Sequence, residues 1–155
     1  MKDMETIKDI NTGIRAIMMP MYNELVELRD KLNSLSSRSE HRKAKVKFDD
    51  LYKQYSLFGK SNDIIVKFTS IEEVKNELQR LTNERERLYK EFISLKQEYV
   101  NASNSGRSIS ELNEIVTKAR KITPIINCYD KLINVFNKSL SRVDTDEKSE
   151  NVVIG

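Results

Sequence analysis

Between Ile71 and Tyr99 the apolar side chains recur at alternating steps of three and four. Ile71, Val74, Leu78, Leu81, Leu88, Phe92, Leu95 and Tyr99 keep the rhythm, and Arg85 takes the one polar place in it. That spacing gathers every member onto one stripe of an α-helix, sustained for about four heptads. At 1.5 Å per residue the segment spans about 45 Å. Ser70 and Glu73 stand where a capping box opens a helix: the serine hydroxyl can accept from the amide three residues on while the glutamate reaches back. Glu86 and Lys90, four apart in the favourable order, fit a solvated flank.

A second run of the same kind follows the polar stretch Asn101–Arg107, in which Gly106 is the hinge residue. Ser108 and Glu111 repeat the capping-box spacing. Leu112, Ile115, Ala119, Ile122, Ile126, Tyr129, Ile133, Phe136, Leu140 and Val143 then continue the three–four steps. Pro124 lies inside this run; lacking an N–H and restricting Thr123, it is expected to kink the helix. The first part of the chain shows two successive stripes, Ile7, Ile10, Ile14, Ile17, Met21 and then Leu25, Leu28, Leu32, Leu35. A step of four falls where three is due, a stutter beside Pro20. The stripe resumes at Ala44, Phe48, Leu51, Tyr55 and Phe58 and stops at Gly59. Ser36, Ser37 and Ser39 favour a break before it resumes.

These patterns predict an all-α fold: an elongated bundle or coiled coil of three long amphipathic helical segments, about 3–58, 71–100 and 109–140, with proline kinks in the first and third. Residues 1–140 form the helical domain on this reading, and the acidic, polar stretch 141–155 is expected to be a disordered tail. Asp63–Phe68 is β-branched and apolar and reads as a short extended piece closing one end of the bundle.

Composition narrows the function. Only four Gly and two Pro occur in 155 residues, too few for the turns of a β-rich or α/β fold. The 27 basic and 24 acidic residues leave a net charge of +3, too balanced to imply nucleic acid by itself. Cys128 stands alone, so no internal disulfide forms and a reducing compartment is expected. No signal-peptide core and no apolar run of the ~20 residues needed to span a bilayer is present. The expected location is intracellular, cytoplasmic or nuclear.

Enzyme chemistry finds no foothold in the pattern. His41 and Cys128 lie in different segments without a supporting motif, no metal-ligand spacing occurs, and no glycine-rich loop is present to cradle a phosphate. No catalytic residue, cofactor or metal is assigned. The expected role is a helical scaffold or adaptor subunit that binds protein partners, themselves helical, in a hetero- or homo-oligomer. The partner-binding stripe is read as Leu78, Leu81, Arg85, Leu88, Phe92, Leu95 and Tyr99 with Ile126, Tyr129, Ile133 and Phe136. Extra apolar residues beside the stripes, such as Tyr89, Ile93, Val100 and Leu132, widen them beyond a two-stranded zipper, and they can serve either an internal core or a partner. A different class of function rests on Arg38, Arg42, Lys43, Lys45 and Lys47, a basic run able to bind nucleic acid or another anionic surface. A third is a viral or phage structural protein in which the same rods self-assemble.

Overall fold

The computed structural model describes residues 2–34, 37–57 and 68–154. Among them there is no strand; the chain is a helical bundle of four helices packed together. These are α1 (Lys2–Ser34), α2 (Arg38–Tyr55), α3 (Ile71–Asn104) and α4 (Ile109–Ile154). The expected first segment is thus two helices rather than one. Ser37 is extended, with φ −87° and ψ 130°, and the chain doubles back so that Tyr55 meets Tyr22 with ring centroids 6.2 Å apart. The serine-rich patch supplies the break, and the apolar stripe on its far side packs against the one before it. Leu35, Phe58, Gly59 and residues 63–67 lie outside the described residues.

Both helices of the second half start as the sequence requires. The Glu73 amide donates to Ser70 Oγ at 3.2 Å, while the Glu73 carboxylate accepts from the Thr69 amide at 3.1 Å, one residue earlier than a capping box prescribes. The Glu111 amide donates to Ser108 Oγ at 3.2 Å; its carboxylate turns to Arg107 instead. Between them α3 closes on Gly106 at φ +69°, a left-handed conformation that glycine adopts freely. The amides of Arg107 and Gly106 donate to the carbonyls of Ala102 and Ser103, which satisfies the last turn of α3 in a Schellman arrangement. α3 therefore runs to Asn104, past the expected end near residue 100, with Ala102 buried.

Pro20 and Pro124 both lie inside helices that continue on either side of them. Beside Pro124 the Thr123 hydroxyl donates back to the Ala119 carbonyl at 3.0 Å. α4 also continues to Ile154, where the sequence reading begins a disordered tail after residue 140. No glycine or proline stands between Ser141 and Ile154 to end it.

α4 meets all three other helices: α3 most extensively, then α1, then α2. It folds antiparallel to α3, as the Arg85 Nε to Asp130 Oδ1 contact of 2.9 Å requires for helices joined by so short a turn. Its buried residues accordingly fall on two faces. Ile115, Ile122, Ile126 and Tyr129 continue the expected stripe, while Cys128, Leu132 and Ser139 form a second row. On α1 the buried apolar positions are Ile7, Ile10, Ile14, Met18, Leu25 and Leu28; Met18 displaces Ile17 and Met21 from the innermost place. Phe68 enters this core, its amide donating to Asn11 Oδ1 at 3.3 Å and its ring meeting Phe136 edge-on at 5.8 Å. Behind it, Arg80 Nη2 donates to the Leu57 carbonyl at 2.7 Å, tying α3 to the residues that follow α2.

The crossing of α1 with α4 depends on Gly13. A Cβ there would lie 2.6 Å from Val135 Cγ1, closer than side chains pack. Alanine favours a helix over glycine by about 1 kcal/mol, whereas overpacking costs about 1–3 kcal/mol. Gly13→Ala is expected to lower unfolding free energy in urea, and the same change made in a Val135→Ala background is expected to be neutral or stabilising. Equal effects in the two backgrounds would show that the contact does not limit the crossing.

Candidate functional site

The expected partner-binding stripe is mostly consumed by the bundle itself. Leu81, Leu88, Leu95, Ile126, Tyr129 and Phe136 are buried in the contiguous core, and Leu78, Phe92 and Ile133 are packed half-buried against it. A side chain that closes the core cannot also face a partner. Burial raises the Tyr129 phenol pKa above its ordinary value, with the Glu84 carboxylate adding to the effect. Tyr99 alone of the eleven expected positions belongs to the exposed large apolar residues.

What the bundle leaves uncovered lies beside the stripe. Tyr89, Ile93, Tyr99 and Val100 are all exposed, by 41, 45, 40 and 48% respectively. At ~100° per residue Tyr89, Ile93 and Val100 share one flank of α3, and Tyr99 lies on the stripe beside it. On α4 the matching flank carries Val116, Ala119, Arg120 and Thr123. Together with Phe92, Leu95, Lys96, Tyr99, Val100 and Ile115, these residues line an apolar groove of about 350 Å³. Cys128 and Val135, which meet the α2 and α1 side, fall on the opposite flank of the α3-facing stripe. The groove is thus the side of the α3–α4 pair that α1 and α2 do not occupy. A larger hollow of about 680 Å³ beside Ile109 is lined by one face of α4 only, and another of about 450 Å³ lies on the polar flank around Gln97 and Asn101. The first does not bring two helices together, and the second is polar.

Arg85 is not a buried polar interruption. It reaches out of the stripe, pairs with Asp130 and with Glu86 at 3.6 Å, and lies over the Tyr89 ring at 4.9 Å. Lys96 similarly lies 5.0 Å from the centre of the Phe92 ring. Such cation–π contacts contribute about 0.5–1 kcal/mol each where exposed.

The basic run keeps its accessibility. Arg38, Arg42, Lys43, Lys45 and Lys47 all lie exposed on α2, whose inner face is held by Ala44 and Tyr55. Arg38, Arg42 and Lys45 share a flank, and Lys43 and Lys47 share another. No ion pair involves these five among the described residues. His41 sits in the same exposed turn.

Among the described residues, no group of three or more His, Cys, Asp or Glu converges as metal ligands would, and no helix is long and apolar enough to cross a membrane. Fold and surface together define an all-α helical bundle with an apolar groove on one flank and a basic stretch on another helix. No family model, curated protein or solved structure matches the chain.

Cys128 is buried, its Sγ 4.0 Å from the Gln54 carbonyl, and burial pushes its pKa up to about 11, against a smaller opposing pull from Lys131. The neutral thiol is the form the folded state holds. Its contribution to stability is complete below the ordinary thiol range and is lost as pH rises toward about 11, where the folded thiol finally ionises. Alkylation by iodoacetamide at neutral pH is expected to follow unfolding, with native protein protected and urea-unfolded protein labelled at once. Rapid labelling of the native chain would place the thiol at the surface.

Proposed function

We propose that this chain is a non-enzymatic helical scaffold or adaptor subunit, which joins protein partners within a larger assembly through the open flank of its α3–α4 pair. The observation carrying this reading is the exposed run Tyr89, Ile93 and Val100 on one flank of α3, with Tyr99 exposed on the stripe beside it. Scattered exposed apolar residues are ordinary; a contiguous patch beside a formed groove marks an interaction surface. The length of the helices supports an elongated form, since 46 residues of α4 extend about 69 Å if straight. Kinks at Pro20 and Pro124 belong to the same reading: each proline leaves the carbonyl four residues before it without its helical donor, which lets a rod bend to follow a partner.

A photo-crosslinking residue at Tyr99 is expected to capture discrete partners in cells, while the same group at Gln97, about 160° round the helix on the polar flank, captures few. Light scattering on the purified chain completes the test. A compact monomer at all concentrations, with Tyr99 and Gln97 giving the same sparse crosslinks, would remove the scaffold reading.

The five exposed cations of α2 favour a second reading, the binding of nucleic acid or another anionic surface. Phosphate contacts release counterions, so such binding weakens steeply with salt. Duplex DNA or RNA is expected to be retained at low salt, lost at high salt, and lost at all salts in the Arg42→Glu/Lys43→Glu/Lys45→Glu/Lys47→Glu chain. Affinity independent of salt would exclude phosphate recognition.

A further inference from the structure

We infer that the α3–α4 groove takes an amphipathic partner helix whose apolar stripe is edged on both sides by carboxylates. The inference rests on the scaffold reading and specifies the chemistry of what docks.

The groove floor is apolar, and its charged lining residues, Lys96 and Arg120, are both cations. Lys96 stands on the α3 lip and Arg120 on the α4 lip, and both are exposed. Intrahelical partners would have to come from three or four residues away. For Lys96 those positions are Phe92, Ile93, Tyr99 and Val100; for Arg120 they are Val116, Thr117, Thr123 and Pro124. Not one is acidic. Neighbouring arginines differ: Arg80 pairs with Glu77, Arg85 with Asp130, Arg87 with Glu84 and Glu91, and Arg107 with Glu111. Arg120 has no carboxylate partner among the described residues, and Lys96 rests on the Phe92 ring. The two lips thus present unneutralised positive charge on either side of an apolar trough.

An incoming helix fills such a trough through residues at i, i+3, i+4 and i+7, and the positions beside that stripe come to lie over the lips. Acidic residues there complement Lys96 on one edge and Arg120 on the other. A second copy of this chain, placed groove to groove, would set the same cations against each other. That repulsion disfavours a symmetric dimer through this face. Nucleic acid is also a poor fit, since between the two cations the floor offers apolar side chains where a phosphate backbone would run.

The test uses the full chain and two labelled synthetic helices of about 18 residues with the same leucine stripe, one flanked by glutamates and one by lysines. Fluorescence anisotropy is expected to show the glutamate peptide binding about tenfold more tightly, a difference that shrinks with salt. In Lys96→Glu/Arg120→Glu the preference is expected to reverse. Val100→Asp, at an exposed position that leaves the core intact, is expected to abolish binding of both. Equal affinity for the two peptides, lost in Val100→Asp, would overturn the acidic-helix assignment and leave the scaffold reading standing. So would failure of either peptide to bind when Tyr99 crosslinks still capture a partner. Competition by duplex RNA that is lost with Lys96 and Arg120 would overturn it in favour of phosphate recognition. Sparse Tyr99 crosslinks would strike the scaffold reading itself.

Discussion

The contact between α1 and α4 at Gly13 and Val135 fixes how much of α4 is left over. α4 is sandwiched: one face lies along α3 and another meets α1 and the end of α2. Two covered faces explain its two rows of buried residues, with Leu132 and Phe136 fully enclosed where the rows come together. The α3–α4 contact is local in sequence and closes over a short turn, so little chain entropy opposes it. The α1–α4 contact joins residues more than a hundred positions apart, and at Gly13 the α1 backbone comes close against the Val135 side chain. Gly13 permits the approach by offering no side chain.

Because α1 and α2 take one flank of α4, the other flank is covered by no helix among the described residues. Among the described residues, every helix has already been placed. Tyr89, Ile93 and Val100, one step off the stripe, and Tyr99 on it remain in contact with water on the flank that α1 does not take. The same geometry sorts the charges. Carboxylates such as Asp130, Glu84 and Glu91 hold the arginines of α3, while the helical neighbours of Lys96 three and four residues away are all apolar.

Much of the helical fold is legible in periodicity alone. The stripe of residues 71–99 reappears as the α3 core residues Val74, Leu81, Leu88 and Leu95, and Ser70 and Ser108 cap where their spacing places them. What periodicity could not supply was direction. A stripe that pauses over serines reads alike whether the helix continues or folds back, and here it folds back, so three segments become four helices. Nor could it choose between neighbouring apolar residues: Met18 lies innermost over Ile17 because the stutter near Pro20 rotates the stripe by part of a turn. The second row on α4, Cys128 and Leu132, reads as mere flank until a second neighbour is known.

The same limit shaped the reading of the site. A three–four stripe reports that a surface must be covered, not what covers it, and the best stripe in a sequence is the one its own chain has most reason to bury. Leu81, Leu88 and Phe136 are therefore poor markers of a docking surface by virtue of their regularity. The better markers are apolar residues one step off the stripe whose neighbours at three and four positions include a cation and no acid. Val100 and Ile93 meet that condition through Lys96, and Val116 meets it through Arg120. An isolated surface helix gains from placing glutamate four residues before a lysine. A lysine surrounded at all four such positions by aromatic and aliphatic side chains forgoes that gain, and its charge remains available for a carboxylate that its own helix does not place there.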